Sequence, residues 1–189
     1  MSVIVAVEKG SRIAIAADSL HTAGSMKVPP EHKLNHEKLF KWGPCWVGLI
    51  GWGALSNVLE SVIRDHPNAM RDPSRQGVFE MLRALHPVLR DDYFLETHED
   101  KSQPVESSQL DGLLISGQGI IGFSSYRNVS EYGRFWAIGA GREYALGALH
   151  GVYYRLRDPG AIARVGVEAA IQFDDSCGGP VQVHTLARK

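Results

Sequence analysis

At 189 residues, with 44% hydrophobic and 22% charged side chains, the chain is long enough for one domain with a sizeable core and too apolar to be disordered. Its net charge of −1 gives no electrostatic argument for nucleic acid or an anionic membrane as partner. Two cysteines, Cys45 and Cys177, are too few for a disulfide framework, so a reducing cytoplasm is the expected compartment. No run approaches the roughly 18 apolar residues of a membrane span. No basic segment followed by an apolar one opens the chain, and a strand starting at the second residue is expected to leave no room for a targeting segment there.

The first two apolar runs, residues 3–7 and 13–17, flank the turn Glu8-Lys9-Gly10-Ser11-Arg12 and read as a hairpin of buried strands. In an antiparallel pair, Ser2 and Asp18 then lie at the same end. If Met1 is removed, a hydroxyl, a free α-amine and a carboxylate meet there. A hydroxyl needs a base to become a nucleophile, and an α-amine with a reference pKa of about 7.7–8.0 can serve. Taken alone, Ser2 is also an ordinary small residue after a start Met, and Asp18 an ordinary turn residue.

Residues 19–37 are polar and broken by Gly24 and Pro29-Pro30, which predicts a long exposed loop. Its histidines, His21, His32 and His36, match no metal-ligand spacing, and solvated loop side chains are the plainer reading. Residues 38–50 predict two strands about Gly43-Pro44. Gly48 lies inside the second, where a lone glycine marks close approach of a ligand or another backbone. Ala54, Leu55, Val58, Leu59, Val62 and Ile63 repeat at helical spacing up to His66-Pro67.

Asp72-Pro73 predicts the start of a second helix, which Pro87 should kink or end early. Residues 96–109 read as a polar loop. Strands are expected at 110–115, 120–123 and 134–138. Gly139-Ala140-Gly141 leads into a helix with Tyr144, Ala145, Ala148, Leu149 and Val152 inward. Without a third glycine or a surrounding βαβ unit it reads as close packing rather than a nucleotide site. Asp158-Pro159 caps a further helix, carrying Ile162, Val165, Ala169 and Ala170, before a last strand at 181–186. Strand groups alternating with helix pairs predict an α+β fold with two antiparallel sheets between two helical layers, in one domain over 1–189.

Four segments in this order resemble the proteasome-type β-subunits of the N-terminal-nucleophile hydrolases: SVIVAV…RIAIAAD, KLFKWG…VGLIGWGA, AIGAGREYAL and DDSCGG. The chain is similar to the bacterial ring protease HslV. The loop after Asp18 and the terminal Ser also make it similar to the offshoot called the betaproteobacterial proteasome homologue. The resemblance implies a four-layer αββα sandwich and proteolysis inside stacked rings, seven subunits each in preference to six. It implies peptides or unfolded proteins as substrates and leaves an ATPase unfoldase partner open. No cofactor and no catalytic metal is implied.

Carried over by position, Ser2 matches the nucleophile and Asp18 the acidic residue after the second strand. Lys38, in KLFKW, fits the lysine heading the next strand better than Lys33 in KLNHE. Gly48 matches the oxyanion donor, and Asp174 the acid of the late D-x-x-S-G-G pattern. Three positions depart: Ser2 stands where the family mostly has Thr, Ala140 where relatives place Ser, and Cys177 at the pattern's Ser. In some relatives carbonyls of this turn bind a cation; the positions here are Ile171, Asp174 and Cys177. Trp52 and Met26 are candidates for lining a substrate pocket. Two other readings stand beside the peptidase: a catalytically silent ring subunit, and a small-molecule amidase of the same nucleophile class.

Overall fold

In the computed structural model, which describes residues 2–98 and 102–189, the opening hairpin lies at the centre of the molecule. Strand β1 (Val3–Lys9) pairs antiparallel with β2 (Arg12–Ala17) across the two-residue turn Gly10-Ser11. A small hairpin follows, β3 (His21–Ala23) and β4 (Met26–Val28), then a 3-10 turn, Pro30–His32. Next come β5 (Leu39–Trp42), β6 (Cys45–Ile50) and helices α1 (Leu55–Asp65) and α2 (Arg75–Asp92). Four strands follow: β7 (Asp111–Ser116), β8 (Gly119–Phe123), β9 (Val129–Tyr132) and β10 (Phe135–Gly139). Helices α3 (Arg142–Val152) and α4 (Pro159–Phe173) and strand β11 (Gln182–Ala187) complete the order.

The strands form a four-stranded sheet, β10-β1-β2-β11, and a five-stranded sheet, β5-β6-β7-β8-β9. Side-chain alternation along β1 assigns its two faces. Val3, Val5 and Val7 pack with Leu149, Ile162 and Val167 of α3 and α4. Ile4 and Ala6, with Ile13 and Ile15 of β2, meet Leu39, Leu113, Ile115 and Ile120 of the other sheet. On that sheet's outer face, Val47, Leu114 and Ile121 pack with Leu59, Val62, Leu82 and Leu85 of α1 and α2. The result is the expected helix–sheet–sheet–helix sandwich. Strands buried on both faces have no reason to alternate in polarity, which is why β1 and β2 read as continuous apolar runs.

Several local expectations change. Segment 19–37 is no featureless exposed loop: Ser19 and Leu20 are buried, and β3–β4 forms within it. Strand β9, unexpected from the sequence, adds to β8 through the pairs Phe123↔Val129 to Ile120↔Tyr132. The N-cap of α2 is Ser74, whose hydroxyl accepts from the Gly77 amide at 3.0 Å; Asp72 instead accepts from the Ser74 amide and hydroxyl. Pro87 does not end α2, which runs on to Asp92. Tyr144 points outward, 47% exposed, against Phe173. Beyond α2, a half-buried staple holds the chain: Ser108 pairs with His86 Nδ1 at 2.9 Å and Glu106 with Nε2 at 2.8 Å, while Arg127 donates to the Ser108 hydroxyl. Met1, and residues 99–101 of the expected loop 96–109, lie outside the described residues. Among the described residues no helix is long and apolar enough to cross a membrane.

Candidate active site

The site forms where the ends of β1 and β2 meet. Register pairs Ile4 with Ala17, so Asp18 stands opposite Val3, with Ser2 the next residue out at the same end of the hairpin. Asp18 is wholly buried and its carboxylate is the hub. Oδ1 accepts from the Val3 amide at 3.0 Å and Oδ2 from the amides of Leu20 and Gly178, both at 3.2 Å. Lys38 donates to both oxygens, at 2.9 and 3.0 Å. Lys38, 6% exposed, sits just before β5 and is anchored by its own amide, which donates to Gln182 Oε1 on β11. Burial lowers the Lys38 pKa from its ordinary value despite the opposing pull of Asp18. Burial disfavours the charged ammonium, and the carboxylate only partly offsets that. The two lysines have different partners: Lys38 makes the buried ion pair with Asp18, whereas Lys33 bonds to His21.

Ser2 is held through its backbone. Its carbonyl accepts from the Ala140 amide at 2.8 Å. Gly139, at φ +100°, makes this approach possible, because a Cβ there would collide with the Ser2 carbonyl oxygen. Ser2 and Lys38 share one pocket of about 240 Å³ with Leu20, His21, Leu49 and Trp52. Trp52 is thus where the sequence suggested, whereas Met26 is 63% exposed on β4 and takes no part in the pocket lining.

Gly48 is buried in β6. A Cβ on it would come within 2.8 Å of Ile4, 2.9 Å of Leu39 and 3.2 Å of the Lys38 carbonyl. Close approach of Ile4 from the other sheet and of the neighbouring strand β5 therefore accounts for the glycine, and Leu49, one residue on, faces the pocket. Asp174 caps the end of α4, and its carboxylate accepts from the Ser176 amide at 2.9 Å and from the Ser176 hydroxyl. The Asp174 carbonyl accepts from the Cys177 amide. What this turn sends to Asp18 is the Gly178 amide. Burial, with Asp18 and Asp174 adding to it, pushes the Cys177 thiol up to about 12. Among the described residues no group of three or more His, Cys, Asp or Glu is gathered to hold a metal ion.

Sequence reasoning missed His21, Leu20 and Gly178. His21 lies in a segment read as solvated loop, and the other two contribute amides, which leave no mark in residue type.

No protein-family model and no curated protein matches the chain. Among solved structures it is similar to the BPH of Thiobacillus denitrificans, at 33% identity and TM-score 0.92, over 99% of this chain and 98% of that one. The same protein in complex with epoxomicin matches at 33% identity and TM-score 0.88, over 99% of each chain. A eukaryotic HslV from Trypanosoma brucei shares the fold, at 19% identity and TM-score 0.68, over 98% of this chain and 99% of that one.

Proposed function

The chain belongs to the bacterial proteasome homologues (BPH), and from that premise we propose that it is a peptidase whose nucleophile is the Ser2 hydroxyl, exposed by removal of Met1. The observation that carries this is the buried Asp18–Lys38 pair, in which Asp18 accepts from the Val3 amide next to Ser2 while Lys38 lines the same pocket as Ser2. The complex of the Thiobacillus protein with epoxomicin supports the same chemistry.

In this mechanism the freed Ser2 amine takes the hydroxyl proton, directly or through a water. The oxygen attacks a peptide carbonyl, the C–O bond forming as the carbonyl π pair moves onto oxygen, and the C–N bond breaks when this tetrahedral oxyanion collapses. The proton passes to the leaving amine, and water then hydrolyses the acyl ester. The Lys38 charge nearby favours a neutral amine and a more acidic hydroxyl. The Gly48 amide is the proposed oxyanion donor, a contact type worth about 2.7–4 kcal/mol. Asp174 supports the turn that holds Asp18 rather than touching substrate. Assembly into rings, seven subunits each in a cytoplasmic double ring, is part of the proposal. The exposed Tyr144–Phe173 contact on the outer faces of α3 and α4 offers apolar surface for it.

The test is incubation with an epoxyketone, which bonds to a hydroxyl and free α-amine of one residue, read by intact mass. Loss of Met1 plus one adduct, absent in Ser2→Ala, is expected. A processed chain that takes no adduct would overturn the proposal in favour of a silent ring subunit.

A further inference from the structure

Two lysines precede β5, and their surroundings differ. The Lys38 charge is met by Asp18. Lys33 makes no ion pair with any described residue; Glu60 on α1 attracts it from beyond contact distance. Its ammonium donates to His21 Nδ1 at 2.8 Å. A ring accepting at Nδ1 carries its proton on Nε2, and that N–H donates to the His36 carbonyl at 3.3 Å. The His36 ring in turn donates through Nδ1 to the Lys33 carbonyl at 3.0 Å, so the segment is braced on itself. Burial, with the charges of Lys33 and Lys38, lowers the His21 pKa, which keeps the ring neutral and able to accept.

His21 lines the pocket that holds Ser2. Lys33 stands outside the residues that line the pocket and reaches it through His21, and besides the freed Ser2 amine its ammonium is a positive charge that no described carboxylate pairs. Only one of its three N–H groups is used, which leaves two to receive a carboxylate. Leu20, Leu49 and Leu55 give the same pocket apolar walls for a short aliphatic stem.

We infer that the pocket selects peptides with an acidic residue, Glu or Asp, immediately before the scissile bond, and that Lys33, braced by His21, is the specificity-determining residue. The inference rests on the peptidase reading above. A basic side chain entering this pocket meets like charge, and an uncharged one brings the ammonium no counter-charge.

The test uses the full chain in its purified assembly and N-acetylated tripeptide aminocoumarin amides that differ only in the last residue: Glu, Gln, Leu or Lys. Glu is expected to exceed Gln in kcat/KM by about tenfold, the scale of a charge-assisted hydrogen bond, and the advantage should shrink as salt is raised. Lys33→Met should bring the Glu-to-Gln ratio close to one. A wild-type ratio near one, or a ratio that Lys33→Met leaves unchanged, overturns the inference. Binding of labelled tripeptides ending in Glu-amide or Gln-amide to Ser2→Ala, read by fluorescence anisotropy, examines the same pocket without turnover. Failure to cleave any substrate would count against the peptidase reading, while the binding ratio would still decide the inference about Lys33.

Discussion

Asp18→Asn disturbs five hydrogen bonds at once. The carboxylate receives three backbone amides, from Val3, Leu20 and Gly178, and both of its oxygens receive Lys38. An amide side chain has one acceptor oxygen, so its NH2 must face donors wherever it turns. It also leaves the Lys38 ammonium buried without a counter-charge, a change that typically costs about 3–5 kcal/mol. Total stability is on the order of 5–15 kcal/mol, so this is a large share of it. At about 2–4 °C per kcal/mol for a chain of this size, melting should fall by about 6–20 °C. The assay is thermal unfolding at one fixed protein concentration, since assembly makes Tm depend on concentration. Adding Lys38→Met removes the orphaned charge, so the double variant should recover much of the lost Tm while staying inactive. An Asp18→Asn variant melting within 1 °C of wild type, or a double variant no more stable than the single, would refute the hub.

Burial pushes the Cys45 thiol up to about 11 and the Cys177 thiol to about 12, so iodoacetamide at neutral pH should leave the folded chain unmodified, and alkylation of either before unfolding would contradict this. His21, lowered from 6.5 by burial and its lysine neighbours, binds its proton less readily in the fold than in the unfolded chain. Its contribution to stability is therefore full above about pH 6.5 and lost as pH falls toward the folded value. His184, lowered by burial and Lys41, has the same sign, so the contribution of His21 is read as the difference between wild type and His21→Gln. That difference in Tm should narrow from pH 7.5 to about pH 5; a constant difference would remove His21 from the account.

The layers were legible because their signal is redundant. Both faces of β1 and β2 are covered, and α1 and α2 carry unbroken helical stripes. Short elements were not: β3, β4 and β9 span three or four residues, too few for a period to register, and pairing partners hold them rather than any pattern. Asp72 and Ser74 are both good capping residues two positions apart, and only the fold's geometry chooses Ser74. Tyr144 carries apolar surface at helical spacing, yet α3 meets α4 through Ala145 and Leu149, the latter 3.0 Å from where a Cβ on Gly166 would sit. Small residues bring those helices close enough to leave the tyrosine outside.

At the site, side chains were legible and backbone contacts were not. The hairpin alone brought Ser2 to Asp18, and a family pattern favoured Lys38. That pattern also drew attention to the hydroxyls missing at Ala140 and Cys177, as though support around Ser2 had been lost. Both positions lie where the main chain makes the contact. The Ala140 amide holds the Ser2 carbonyl at 2.8 Å, and the turn through Cys177 delivers the Gly178 amide to Asp18 at 3.2 Å. An amide is indifferent to its own side chain so long as the backbone path is kept. Asp174 keeps that path by capping Ser176, and Gly139 keeps it by leaving room for the Ser2 carbonyl. Residue type can therefore drift at 140 and 177 while the grip on Ser2 and Asp18 persists, whereas Gly139 and Asp18 have no such freedom.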